Sequence, residues 1–174
     1  MWFRGFFDDG GFVKITRTRN RLPKKTRIEI TKELQERLAD SIDLMIQARQ
    51  AHWSVKSLNF IALHELFDRV YTDTGTHVDI IAERIAQLGG IAQRPNSGAA
   101  KKFSLREYPP DIPPGSMDVA ELAHAIAYFG KQIQKGIELC TRLKDTDTAA
   151  ILAQVSRGAD VNLWSVEAHE QAAH

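Results

Sequence analysis

From Asn59 to Leu88 the chain reads as one long helix whose two faces ask for different surroundings. With about 100° of rotation per residue and His64 set at zero, Asp68 falls near 40°, Asp79 near 60° and Glu83 near 100°. Leu63, Leu66, Phe67, Val70, Tyr71, Val78, Ile81, Ile85 and Leu88 gather at roughly 200–340°, the stripe that should face the chain's own core. Four side chains able to bind a metal therefore look away from that core. They form two pairs, His64/Asp68 and Asp79/Glu83, each spaced i, i+4 and so sharing a face. At about 1.5 Å of rise per residue, Asp68 and Asp79 lie roughly 16 Å apart, several times a metal–ligand bond. One chain alone supplies half a site.

An antiparallel second copy of this helix, related by a two-fold axis, would set His64/Asp68 of one chain against Asp79/Glu83 of the other, twice. The axis would cross near Thr72, Gly75 and Thr76, small residues that let two backbones approach. A glycine inside a helix costs about 1 kcal/mol relative to alanine, which asks for a reason such as this one. His52, near the end of the preceding helix, is the further ligand candidate: a neutral imidazole there could complete the His64/Asp68 half. Nitrogen and carboxylate donors, few per ion, suit iron, manganese or zinc and leave positions open for water, dioxygen or peroxide.

The intervals His52, His64, Asp68, Asp79 and Glu83, the flanking His52-Trp53-Ser54-Val55, Asn59-Phe60 and Leu63-His64-Glu65, and Asp79-Ile80-Ile81-Ala82-Glu83-Arg84 leading to Gly89-Gly90 resemble the Dps family, mini-ferritins that protect bacterial DNA from iron and peroxide. Tyr108-Pro109 and Leu163-Trp164 also look like family positions, so the resemblance covers roughly residues 26 to 170. It implies a hollow homo-dodecamer of ferritin-like four-helix bundles. It also implies a di-iron site at each two-fold interface, with His52, His64 and Asp68 from one chain and Asp79 and Glu83 from its partner. The implied chemistry is oxidation of Fe(II) by hydrogen peroxide or dioxygen, the ferric product being stored as mineral in the cavity; zinc or manganese are substitute metals.

At 174 residues, with 43% hydrophobic and 26% charged, the chain has the composition of one soluble globular domain with a full core. A formal net charge of +1 does not by itself imply nucleic acid as partner. The single cysteine, Cys140, forms no intrachain disulfide and favours a reducing cytoplasm, with association to the nucleoid as a further expectation. The apolar opening from Met1 to Phe7 is broken by Arg4 and followed by Asp8-Asp9-Gly10-Gly11, which is not the pattern of a secretory signal, and no membrane partner is expected.

The fold class that follows is all-α: a four-helix bundle over residues 29–174 behind an N-terminal extension, 1–28, that carries a basic arm. Helix A is expected from Thr31, as N-cap, to about Val55, and helix B from Asn59 to the glycine stop at Gly89-Gly90. The proline-rich stretch from Ile91 to Met117 is the crossover that parallel second and third helices need, with room for a short helix. Asp118 and Glu121 form a capping box opening helix C, which continues to about Leu143, and helix D starts near Thr146.

Other residues carry two readings each. Trp53 is either a packing tryptophan, the preferred reading, or an electron donor shielding the site; Glu65 lies at an angle like that of Glu83 and is an auxiliary candidate. Arg84 pairs with a carboxylate or makes a surface salt bridge. Asp145 and Asp147, where the family's iron-entry pores lie, are pore candidates or simply acidic residues at a helix N-terminus. Ala149 and Ala150 stand where some members carry a pore carboxylate, which weakens the pore reading. Arg17, Arg19, Arg21, Lys24, Lys25 and Arg27 form a solvated arm that could bind DNA phosphates, twelve copies multiplying a weak contact. Glu121 and His124 match a Glu-x-x-His element of intrachain di-iron bundles, but a second such element is absent. The competing functional reading is a non-enzymatic architectural protein that compacts DNA and uses metal to fix its interface.

Overall fold

The computed structural model describes residues 15–93, 104–109 and 117–171. Four helices account for most of them: α1 (Lys24–Ser54), α2 (Phe60–Gln87), α3 (Met117–Arg142) and α4 (Thr146–Gln171). Helix α1 packs on α2 and α3, and α4 packs on α3 and α2, which leaves α1/α4 and α2/α3 on the diagonals of the bundle.

Side-chain bonds between helices give the directions. Ser54 at the end of α1 donates to Asp118 at the start of α3, and Arg84 near the end of α2 meets Asp145 just before α4. So α1 runs against α3 and α2 against α4, which makes α2 and α3 parallel and requires the long crossover the prolines announce. Residues 104–109, the described part of that crossover, lie along α1: Asp40 accepts from Ser104, and Gln47 donates to the carbonyl of Arg106. The short helix expected in the crossover is not seen over 104–109; the rest of that expectation falls outside the described residues.

The apolar stripe of α2 is where the wheel puts it. Leu63, Leu66, Phe67, Val70, Ile81, Ile85 and Leu88 are buried, with Tyr71 and Val78 half-buried at its margins. Gly89 ends the helix at φ +85, and Gly90 N–H reaches back to Ile85 O at 2.9 Å, the six-to-one bond that a left-handed glycine allows. At the corner between α3 and α4, Lys144 takes the same conformation at φ 62 without being glycine. Beneath that corner Cys140 is fully buried, and burial pushes its thiol up to about 12.

Helix α1 begins at Lys24 behind Pro23 rather than at Thr31, because lysine and arginine are good helix formers and nothing between Lys24 and Thr31 stops the turn. Thr31 is 1% exposed inside the helix and caps nothing. The last residues of the arm are thus the first turns of the bundle, and the segment before them is not a free tail. Thr16 N–H and Oγ1 both donate to Gly89 O, at 2.8 and 3.0 Å, pinning the arm against the end of α2. Among the described residues no helix is long and apolar enough to cross a membrane.

Candidate metal centre

The short turn from Val55 to Asn59 brings the last turn of α1 against the first turns of α2, and this sets His52 beside His64. The two rings stack with centroids 3.6 Å apart and planes 26° from parallel. His52 Nδ1 donates to His64 O at 2.9 Å, and His64 Nδ1 donates to His52 O at 3.0 Å. A carbonyl can only accept, so each Nδ1 carries the proton, and in the neutral ring each Nε2 keeps its lone pair. That tautomer is the one a metal requires at Nε2, with the other nitrogen held by the backbone. Phe60, 5.0 Å from His64 between ring centroids, borders the pair on one side.

Asp68, one turn further along α2, is half-exposed and engaged elsewhere: Arg49 of α1 donates to its Oδ1 at 2.8 Å. The guanidinium of Arg49 also lies 3.7 Å above the ring of Tyr71. Asp79 and Glu83 are exposed on the same helix, farther from the turn. Among the described residues no three of His, Cys, Asp and Glu gather closely enough to hold an ion. Two of the five expected ligands, His52 and His64, are therefore in contact, Asp68 is held by an arginine, and the remaining pair faces solvent. At the middle of this face, a Cβ on Gly75 would meet only Met45 Sδ, at 3.6 Å, an ordinary contact. Nothing among the described residues asks for glycine there.

Trp53 is 75% exposed, not packed into the core, because the last turn of α1 directs it outward. It borders a shallow groove lined by Met45, Ile46, Arg49, Gln50 and Tyr71, next to the two-histidine cluster. Ile46 in that groove is exposed, as are Phe60 and Ile61 in the first turn of α2. Glu65 is exposed.

Asp145 departs from the pore reading. It is 1% exposed, takes Arg84 Nη2 on both carboxylate oxygens at 3.0 and 3.2 Å, and accepts from Thr148 N–H at 3.1 Å and from the Thr148 hydroxyl. It caps α4 and closes a buried ion pair, so its oxygens are spent inside the bundle. Arg84 accordingly makes a buried bridge, not a surface one. Asp147 is exposed and pairs with Arg21 of the arm at 3.1 Å.

The basic residues divide. Arg27 is 6% exposed and donates to Leu88 O at 2.6 Å, so it is a structural side chain and not a phosphate contact. Arg17, Arg19, Arg21, Lys24 and Lys25 are exposed. Asp118 is buried, and its carboxylate accepts from Tyr108 Oη at 2.7 Å and Ser54 Oγ at 3.3 Å instead of serving a capping box. His124 is exposed and Glu121 lies toward Arg106, 3.9 Å away, with no third ligand near them among the described residues.

Arg49 was not singled out by the helix wheel of α2, because it belongs to α1. The signal that finds it is its position three residues before His52, on the same face of α1. The Tyr108–Asp118–Ser54 chain of hydrogen bonds likewise joins segments far apart in sequence, and it fixes the turn of α1 that carries His52.

The ferritin-like domain family matches residues 31–172 of the chain. The "DNA protection during starvation protein" of Agrobacterium fabrum is 36% identical over 159 residues, covering 91% of this chain and 98% of that one. Among solved structures, DpsC from Streptomyces coelicolor superposes with a TM-score of 0.85 at 23% identity over 95% of both chains. The Vibrio cholerae Dps, described as a member of a broad superfamily of ferritin-like diiron-carboxylate proteins, gives 0.78 at 23% identity over 89% of this chain and 98% of that one. With its four helices, its crossover and the histidines paired where α1 turns into α2, the chain belongs to the Dps family of ferritin-like proteins.

Proposed function

We propose that the protein is a ferroxidase and iron store that binds Fe(II) at sites shared between two subunits, oxidises it with hydrogen peroxide or dioxygen, and keeps the ferric product as mineral inside a closed homo-dodecamer. The observation that carries this is the reciprocal bonding of His52 and His64, which readies two Nε2 lone pairs at one spot on an exposed face. A lone pair of imidazoles does not close a coordination sphere. Asp68 of the same chain and Asp79 and Glu83 of a partner are the donors that would complete it, across a two-fold axis at Gly75. The exposed Trp53, Ile46 and Ile61 support the partner, since an apolar rim beside an open site is what a second subunit would cover.

In this reading Fe(II) is substrate. Two ferrous ions give two electrons to one hydrogen peroxide, which with two protons leaves as two waters, and no hydroxyl radical is released. The chain's own part is to hold the imidazoles in the metal-binding tautomer, to supply carboxylates that favour the ferric product, and to keep the reaction on an inner face away from DNA. Iron is the metal proposed, with zinc or manganese able to occupy the same donors. The donor set fits a di-iron site, in keeping with the superfamily named for the Vibrio cholerae relative.

Absorbance-monitored oxidation of Fe(II) by peroxide tests this. His52→Ala with His64→Ala should slow it at least about 100-fold, the scale of losing catalytic binding groups, while light scattering shows the particle intact. An unchanged rate in an intact particle rejects the ferroxidase and leaves the architectural reading, in which metal only fixes the interface.

DNA protection is the second half of the proposal, in the cytoplasm and beside the nucleoid, as the name of the Agrobacterium fabrum relative suggests. Its support is the ridge of exposed Arg17, Arg19, Lys24 and Lys25, presented on a docked segment and the first turn of α1 rather than on a loose tail. A fixed ridge repeated over twelve subunits gives avidity without ordering a chain each time. Gel shifts across salt should weaken on replacing these four by alanine and stay nearly unchanged for Arg27→Met; equal binding by all variants would remove the ridge from the account.

A further inference from the structure

Between α2 and α4 the bundle opens a cleft of about 300 Å³, lined by Asp73 and His77 from one helix and by Gln154 and Gly158 from the other. The imidazole of His77 forms one wall. It is 7% exposed, and its Nδ1 is buried with no hydrogen-bond partner among the described residues. An unpartnered nitrogen in the interior costs stability, and packing alone does not call for it, since an apolar side chain of similar size would fill the same space. What the ring adds is its second nitrogen. Nε2 faces Gly158 across the cleft, where a Cβ would stand 2.5 Å from it. Any larger residue at 158 would block the approach to that atom. Glycine leaves it open, inside a helix where glycine is otherwise unfavourable.

Asp73 stands one turn before His77, at the i, i+4 spacing that puts two side chains on one face. Its carboxylate is half-buried, takes part in none of the ion pairs among the described residues, and is the charged group that bears on the imidazole. Gln154 brings an amide oxygen from α4. No third His, Cys, Asp or Glu among the described residues is close enough to join them, so water would complete the shell of any ion held there. One imidazole with two oxygen donors suits a divalent transition metal. A carboxylate repels an anion, and magnesium prefers oxygen donors alone.

We propose that the cleft between α2 and α4 is a second metal site, in which His77 Nε2, Asp73 and Gln154 bind one divalent transition-metal ion. The site needs no donor from another chain and stands apart from the shared one, so it does not depend on the proposed ferroxidase. Because its donors lie on two helices, the bound ion ties α2 to α4 and stabilises the folded bundle by mass action. A ring that merely packed against Gly158 would give the same fold and bind nothing.

Zn(II), which is redox-silent, separates these. His52→Ala with His64→Ala removes the imidazoles of the shared site; calorimetric titration of that assembled double variant should still show one zinc per subunit, and zinc should raise its melting temperature. Adding Asp73→Asn or His77→Gln should weaken this binding by about tenfold or more and abolish the melting shift. Magnesium should do neither. In zinc-soaked crystals the anomalous signal should lie between His77 and Asp73. No zinc binding in the double variant, binding unchanged by both added substitutions, magnesium bound as well as zinc, or a crystal peak with no calorimetric counterpart would overturn the site. Should His77→Gln fail to assemble, Asp73→Asn, which keeps the shape of the side chain, decides alone.

Discussion

The imidazole of His77 fills the space in which a side chain at Gly158 would begin: a Cβ there would stand 2.5 Å from its Nε2 and 2.8 Å from its Cε1. Helix α2 and helix α4 can come this close only because one contributes a ring and the other no side chain at all.

Gly158→Ala should therefore destabilise the bundle despite the better helix propensity of alanine. Overpacking of this kind costs about 1–3 kcal/mol, against about 1 kcal/mol regained from propensity. The check is a chemical denaturation midpoint. Shrinking the ring in the double variant Gly158→Ala/His77→Ala should recover most of the loss, and additivity of the two changes would contradict the contact.

Asp43 ionises at a cost in the folded chain. Burial, with Asp40 and Glu107 adding their charge, pushes its carboxyl up to about 6 from 3.8, against a hydrogen bond from Gln47. A carboxyl raised in the fold binds its proton more readily there than in the unfolded chain, so its penalty grows as pH rises through that interval and is constant above it. His77 works in the opposite sense: burial lowers its pKa below 6.5, so acid below that value favours the unfolded chain. Asp43→Asn should raise stability at neutral pH by about 1–2 kcal/mol, allowing for partial solvation, and should make little difference near pH 4. Melting curves across pH read both ends; an equal gain at both would mean the charge is not the cause.

The buried pair Arg84–Asp145 should be costly to break from one side. Asp145→Ala removes a helix cap and leaves a guanidinium without its partner in the interior, a loss of about 3–5 kcal/mol. Adding Arg84→Met should return part of that, because the orphaned charge goes with it. Urea unfolding of the single and double variants measures the difference, and a surface bridge would show less than about 1 kcal/mol.

Much of the fold is legible in the sequence. The stripe of α2 is legible because each residue there answers to a single period, and the burial of Phe67, Ile81 and Leu88 follows it. The pairing of His52 and His64 was legible too, since a short turn sets the last turn of one helix against the first turns of the next. What escaped the sequence depends on contacts between helices. Lys24, Lys25 and Arg27 look like a solvated arm as a string of charges, yet Arg27 finds the carbonyl of Leu88 across the bundle and is drawn inside. Asp145 looks like any acidic residue before a helix until Arg84 of α2 is placed against it. Trp53 looks like core because tryptophan usually is, whereas the geometry of the last turn of α1 puts it outside.

Cys140 lies under the corner of α3 and α4, sealed and firmly protonated. Oxidants attack thiolates, and here there is none to attack. An oxidant that reaches the surface of this protein therefore meets no reactive sulfur, and neither a sulfenic acid nor a disulfide to another chain forms at Cys140 while that corner stays closed.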